Sequence, residues 1–240
     1  MNNFDSINSG VEKIYGESGN DKFIVSSGRL NNFKDISGGD GEDFIEITDS
    51  VKNSQVLENV FVENLILKGN GNEILVDDLV EVGATSIDRT RFTEITVSND
   101  GTVGDTFTIN GDKDDTERNN VILGMVIGGG SSTNDTLKVN TGILTDQLSN
   151  KTGIENLELG LNPVNLIDYT IDFTKLKDFK NIKSGNGSDH FTVSADNIGS
   201  MKIDGGGTVV GNNGNLISKD HDKLILSGIW NNDTEKNKDI

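Results

Sequence analysis

The 240-residue chain contains no cysteine, so neither a disulfide framework nor a thiolate metal site is available to it. It has one proline, which leaves no Pro-rich linker, and no Ser/Gly tract is long enough to separate domains. No stretch approaches the roughly 18 apolar residues of a membrane span. The first ten residues lack the basic start and apolar run of a secretory signal. Export is therefore expected to use a signal elsewhere, unless the chain is a segment of a longer protein. The two histidines, His190 and His221, are far apart with no matching Cys/His pattern, and they read as surface residues rather than a transition-metal site. Basic residues are scarce. Against 39 Asp and Glu stand 21 Lys and Arg, and a net charge of −18 argues against nucleic acid, whose phosphates are drawn to clustered cations.

What the chain does have is glycine, 29 residues of it, with only 32% hydrophobic residues. That balance suits a fold with a thin core and many turns. The clearest signal is Gly38-Gly39-Asp40-Gly41-Glu42-Asp43-Phe44-Ile45-Glu46, which satisfies every fixed position of the nonapeptide G-G-x-G-x-D-x-U-x, U being a large apolar residue. Glycines permit backbone conformations barred to residues with a Cβ, turning carbonyl oxygens toward a common point, and Asp43 adds a carboxylate. Hard oxygen donors gathered this way suit calcium. Gly38, Gly39, Asp40 and Asp43 are accordingly candidate ligands.

The tail of this phrase, Asp-x-apolar-x-apolar, recurs at Asp21, Asp105, Asp135, Asp189 and Asp222, with Glu73 as an acidic variant. Positions 21, 43, 73, 105, 135, 189 and 222 are separated by 22, 30, 32, 30, 54 and 33 residues. The 54 reads as two units, one with its motif eroded near Gly160 to Thr170. A second short apolar segment precedes the turns, as in Phe33-Lys34-Asp35-Ile36 and Phe179-Lys180-Asn181-Ile182, and Val62-Glu63-Asn64-Leu65 and Ile154-Glu155-Asn156-Leu157 belong to the same series. The unit is strand, acidic glycine turn, strand, variable return. Units recurring at about 20 to 50 residues signal stacked repeats, each burying its apolar face on its neighbours. Alternation in Phe23-Ile24-Val25 and Phe191-Thr192-Val193 turns every second side chain inward.

The pattern predicts an all-β chain, a right-handed parallel β-solenoid of the β-roll or β-helix kind with irregular rungs. It forms one elongated domain over residues 1–230, weakest at 140–180, where Leu166 to Phe179 reads as either a helix or a pair of irregular strands. Ile229 and Trp230 are expected to cap the last rung, and 231–240 to form a polar tail.

Catalytic signals are absent from the pattern. Paired carboxylates such as Asp77-Asp78 and Asp114-Asp115 are plentiful, but glycosidic chemistry needs two of them opposed across a sugar. Gly69-Asn70-Gly71-Asn72 lacks the Lys-Ser/Thr of a phosphate loop. No catalytic residue is assigned. Arg89 and Arg91 are the candidates for contact with a sugar acid or phosphate of a surface glycan; the competing reading is that they neutralise local acid.

The motifs at 38–46, at 184–192 (Ser-Gly-Asn-Gly-Ser-Asp-His-Phe-Thr) and at 16–24 (Gly-Glu-Ser-Gly-Asn-Asp-Lys-Phe-Ile) resemble the haemolysin-type RTX calcium-binding repeat. The Val62–Leu67 and Ile154–Leu159 phrases resemble segments of large bacterial surface-layer proteins and RTX adhesins. The resemblance implies type I secretion, a bacterial cell-surface location, and calcium-dependent folding or assembly with itself or with neighbouring domains of a larger protein. It adds Asp21, Asn186 and Asp189 to the expected metal ligands. The chain departs from a dense RTX array in spacing its motifs 22 or more residues apart and in carrying Glu17 where a second glycine belongs. Few calcium ions are expected. The function that follows is a structural surface module; the alternatives are a polysaccharide-active β-helix enzyme of the lyase or epimerase type and a glycan-binding module with cell-surface polysaccharide as its partner.

Overall fold

The computed structural model of the chain describes residues 2–3, 13–80, 92–98, 101–112, 114, 116–160, 166–206 and 221–227. Arg89, Arg91, Asp115, Ile229, Trp230 and the 231–240 segment lie outside these. Within them the chain is mostly short parallel strands with few helices.

The strands form four sheets. The first contains Lys13–Tyr15, Asp35–Ser37 and Val60–Phe61. The second runs through Asn2–Asn3, Lys22–Val25, Phe44–Ile47, Asn64–Leu67, Glu94–Val97, Val126–Gly128 and Lys151–Thr152. The third runs through Glu73–Leu75, Thr106–Ile109, Thr136–Val139, Asn156–Leu159, Asn181–Ser184 and Lys202–Asp204. Thr170–Asp172, His190–Ser194 and Lys223–Ser227 make the fourth. All the pairings between these strands are parallel, and each strand inside a sheet pairs with equivalents from the repeats before and after it.

Register follows from the two-residue period, since a slip of one residue would turn every apolar side chain outward. Phe23, Ile45, Leu65 and Ile95 stand in line across the second sheet and are buried, as are Val25, Ile47, Leu67 and Val97 beside them. In the third sheet Ile74, Phe107, Leu137, Leu157 and Ile182 form the equivalent line. Side chains from all four sheets join in one hydrophobic core. Phe173 meets Phe191 edge-on at 5.8 Å between ring centroids and links the fourth sheet to the 173–175 turn.

Short helical segments fill the returns, the longest being Thr116–Gly124. No described helix is long and apolar enough to cross a membrane. Returns also cover inner sheet edges: Glu73 N–H donates to Val51 O at 2.8 Å, and Leu75 N–H to Ser54 Oγ at 3.1 Å. Pairing continues through the segment expected to be weakest, with Asn156–Leu159 bonded in full register to Thr136–Val139 and Asn181–Ser184. The 166–179 segment is neither a helix nor a strand pair. It holds one strand, Thr170–Asp172, followed by a 3-10 turn at Phe173–Lys175.

One core position is occupied against type. Lys151 lies in register with Ile127, 3% exposed, in the row that Phe23, Ile45, Leu65 and Ile95 occupy earlier in the second sheet. Its ammonium donates to Leu123 O at 2.9 Å and to Met125 O, carbonyls left open where the Thr116–Gly124 helix ends. Burial pushes the Lys151 pKa down from 10.5 to about 8. The folded state therefore resists carrying this proton, and stability is expected to rise as pH increases from about 8 toward 10, by up to about 3 kcal/mol over the full shift. Denaturation at pH 7.5, 8.5 and 9.5 checks this: wild type should show the slope and Lys151→Met should lose it.

Candidate functional site

The glycine turns join one sheet to the next, and the acidic residue ending each turn stands immediately before the following strand. The side chains of Asp43, Asp105, Asp135 and Asp189 are buried, whereas Asp21 is half-buried and Asp222 exposed. From the second member of each column onward, the carboxylate accepts the backbone N–H of the equivalent residue in the preceding repeat. Asp43 Oδ1 accepts from Asp21 N–H at 2.8 Å, and Glu63 Oε2 from Asp43 N–H at 2.9 Å. Asp105 Oδ1 accepts from Asn72 N–H at 2.5 Å, Asp135 Oδ1 from Asp105 N–H at 2.7 Å, and Glu155 Oε2 from Asp135 N–H at 3.2 Å. In the third set Asp189 Oδ1 accepts from Tyr169 N–H at 2.8 Å, and Asp222 Oδ1 from Asp189 N–H at 3.0 Å.

The acidic positions thus form three columns, 21–43–63, 72–105–135–155 and 169–189–222, and this corrects the sequence reading in particulars. Glu73 is not a column member: its side chain is exposed and pairs with Lys52 at 3.2 Å, while Asn72 holds the position. Glu63 and Glu155, read only as parts of apolar phrases, are full members. The long interval between Asp135 and Asp189 contains two column positions: Tyr169, inside the 160–170 stretch expected to hold an eroded motif, and Glu155, which was not expected. What would have revealed the two glutamates is their shared Glu-Asn context. Asn64 and Asn156 each donate a side-chain N–H to the carbonyl of the aspartate whose N–H their neighbouring glutamate accepts.

Of the candidate metal residues, the structure brings Asp21, Gly38, Gly39, Asp40 and Asp43 together in two stacked turns. Asn186 and Asp189 lie at a different turn, the one that ends at the third column's Asp189. Gly38 lies so close to Asp43 that a Cβ there would sit 1.9 Å from Oδ2, and a Cβ on Gly39, at φ +102°, would sit 1.9 Å from the Glu17 carbonyl oxygen. Glu17 has a φ of 72° and is the only non-glycine residue with positive φ among the described residues. At the equivalent turn Ser184 replaces Gly38, and its hydroxyl donates to Asp189 Oδ2. Asp43 has no such donor: its Oδ2 is buried without a hydrogen-bond partner.

Burial, reinforced by the negative charges of Glu63 and Asp21, raises the Asp43 pKa above its ordinary 3.8, with the Asp21 N–H pulling the other way. Burial likewise raises Asp105, Asp135 and Asp189. The 38–43 turn gathers backbone carbonyl and carboxylate oxygens, the ligand type that calcium takes, and Asp43 Oδ2 is the buried one without a hydrogen-bond partner there. Among the described residues no three His, Cys, Asp or Glu side chains converge on one metal position. An ion at this turn would therefore draw on backbone carbonyls as well as on Asp43 and Asp21.

The Asp77-Asp78 pair is committed to internal hydrogen bonds. Asp77 accepts the N–H groups of Asn110 and Gly111, both at 2.8 Å, and Asp78 accepts from Ser54 Oγ at 2.7 Å. His190 is exposed. No protein-family model, curated protein or solved structure matches the chain.

Asp105→Ala removes the acceptor for both the main-chain and side-chain N–H of Asn72. It is expected to cost about 2–3 kcal/mol in urea denaturation at pH 7, whereas Asp105→Asn, which keeps an oxygen in place, should cost about 1 kcal/mol or less. Acid should stabilise the chain. The contribution of the four raised carboxyls is complete below about 3.8 and is lost as pH rises through their raised folded values, so their protonation is expected to raise the melting midpoint in chelator as pH falls from neutral toward 3.8. A fall over that range would contradict this assignment of the columns.

Proposed function

We propose that this chain is a structural, non-catalytic module of a secreted bacterial cell-surface protein of the S-layer or RTX-adhesin type. Its parallel sheets are read as the faces of a right-handed β-solenoid with irregular rungs, in which each turn of the chain rests on the last. Asp43 Oδ2 carries the proposal: a buried, unpartnered carboxylate oxygen in a stacked glycine turn, within a chain of net charge −18. A stack of buried acids needs either protons or cations. At the neutral pH and millimolar calcium outside a cell, calcium is the available answer.

Asp43 and Asp21, with the carbonyls of Gly38, Gly39 and Asp40, are the residues that would hold it. A bound calcium ion supplies positive charge that offsets repulsion along the 21–43–63 column. The protein contributes preformed glycine turns and an inward row of apolar side chains that transmits order from one repeat to the next. Such a chain stays loose where calcium is scarce, a state suited to type I export, and becomes firm outside. Self-association, or docking with neighbouring domains of a larger surface protein, then builds the layer.

An ion that binds only the folded state at a hundredfold excess over its Kd adds about 2.7 kcal/mol. Calorimetric melts in calcium, magnesium and chelator test the reading. Calcium is expected to raise the midpoint by several degrees in wild type and to have no effect on Asp43→Asn, while light scattering reports assembly. Equal midpoints in calcium and chelator would remove calcium from the account.

A further inference from the structure

A cleft of about 650 Å³ opens on the outer side of the third sheet, beside the Asn72 and Asp105 turns of the second column and apart from the 38–43 turn. That volume falls within the roughly 300–1,000 Å³ typical of small-ligand clefts. Its floor is the outward face of Thr106–Ile109, which presents the Thr106 and Thr108 side chains. Its walls are the 52–55 return, the Glu73–Leu75 strand and the 103–104 turn. We propose that this cleft binds an uncharged oligosaccharide, a run of neutral hexose units. The inference goes beyond the structural role proposed above and does not rest on it.

Charge points to a neutral ligand. The lysines of the cleft are already answered, Lys52 by Glu73 at 3.2 Å and by Gly71 O, and Lys138 by Glu158 at 3.5 Å. Asp78 is held by Ser54 Oγ. A uronate or phosphate would find no open cation here and would meet the field of a strongly acidic chain.

The uncommitted groups are the ones that recognise hydroxyls. The Thr106 and Thr108 hydroxyls and the Gln55 carboxamide have no hydrogen-bond partner among the described residues, although all three line the cleft. Thr106 and Thr108 stand two residues apart on one strand, about 7 Å at the rise of a parallel strand, so their hydroxyls form a fixed row of donor-acceptor groups. Beside them Val103, 57% exposed, and Leu75 supply apolar surface for the C–H face of a sugar ring. Hydroxyl-matching groups on a rigid sheet, flanked by aliphatic side chains and with internal charge already balanced, fit a neutral glycan.

The test is titration calorimetry with saturation-transfer NMR on the full chain, using hexasaccharides of α-glucan, β-glucan and mannan alongside hexagalacturonate. Wild type is expected to bind at least one neutral hexasaccharide. Thr106→Val/Thr108→Val, which keeps the shape and β-branching of both side chains, should weaken binding about tenfold or more. Gln55→Ala, on an exposed return, provides a second variant if the double variant melts early. Binding should persist in chelator, which separates this site from the calcium proposal. Absence of binding to all three neutral glycans, binding of hexagalacturonate alone, or affinity unchanged in both variants would overturn the inference.

Discussion

The structure depends on a single recurring bond, from the backbone N–H that ends one turn to the carboxylate that ends the next. A parallel stack has no hairpin to hold consecutive strands in register, so contacts between repeats must do so. The strand hydrogen bonds are permissive, since they form equally well after a slip of two residues. The acidic column is not permissive, because each repeat offers one carboxylate at one position. Burial makes the bond strong and also makes the carboxyls difficult to ionise, which explains why the same residues set both the register and the pH response of the molecule.

Glycine enters for a reason tied to the same bond. The turn must bring its first residue against the carboxylate and its second against the carbonyl of the preceding turn, and there is no room for a Cβ at Gly38 or Gly39. Where the first position admits a side chain, at Ser184, the side chain becomes a hydrogen-bond donor to the acid. The glycine turn is therefore already a compact stacking device before any ion is considered. A cation at the 38–43 turn would add charge compensation to an arrangement whose shape is set by packing.

The columns do not run the length of the stack. The first ends at Glu63 and the second at Glu155, and after each the corner moves sideways by one sheet. Asn64–Leu67 is both the strand that follows Glu63 and the strand that leads into the turn before Asn72. Asn156–Leu159 does the same between Glu155 and Tyr169. A glutamate, one methylene longer than aspartate, closes a column at both places, with no run of glycines immediately before it. The adjacent asparagine adds a second bond to the carbonyl of the aspartate in the preceding repeat.

Much of this was legible along the chain. Alternation in segments such as Phe23-Ile24-Val25 is local physics, because a strand turns successive side chains to opposite faces whatever surrounds it, and it placed the inward row correctly. Glycine before aspartate likewise marked the turns at 16–21, 38–43 and 184–189. What could not be read was which acid answers which N–H. The partners lie 20 to 33 residues apart, across returns of different length and with short helices inside them. Glu73 and Asn72 are neighbours, and only the register of Thr106 against Glu73 decides that Asn72 belongs to the column. Lys151 at a core position and the open hydroxyls of Thr106 and Thr108 were equally invisible, since a lysine or threonine declares its role through the carbonyls and neighbours that the stack brings to it. The linear pattern thus determined which side chains turn inward and where the chain bends, while tertiary stacking alone determined how the bends line up, because that alignment depends on the summed length of every return between them.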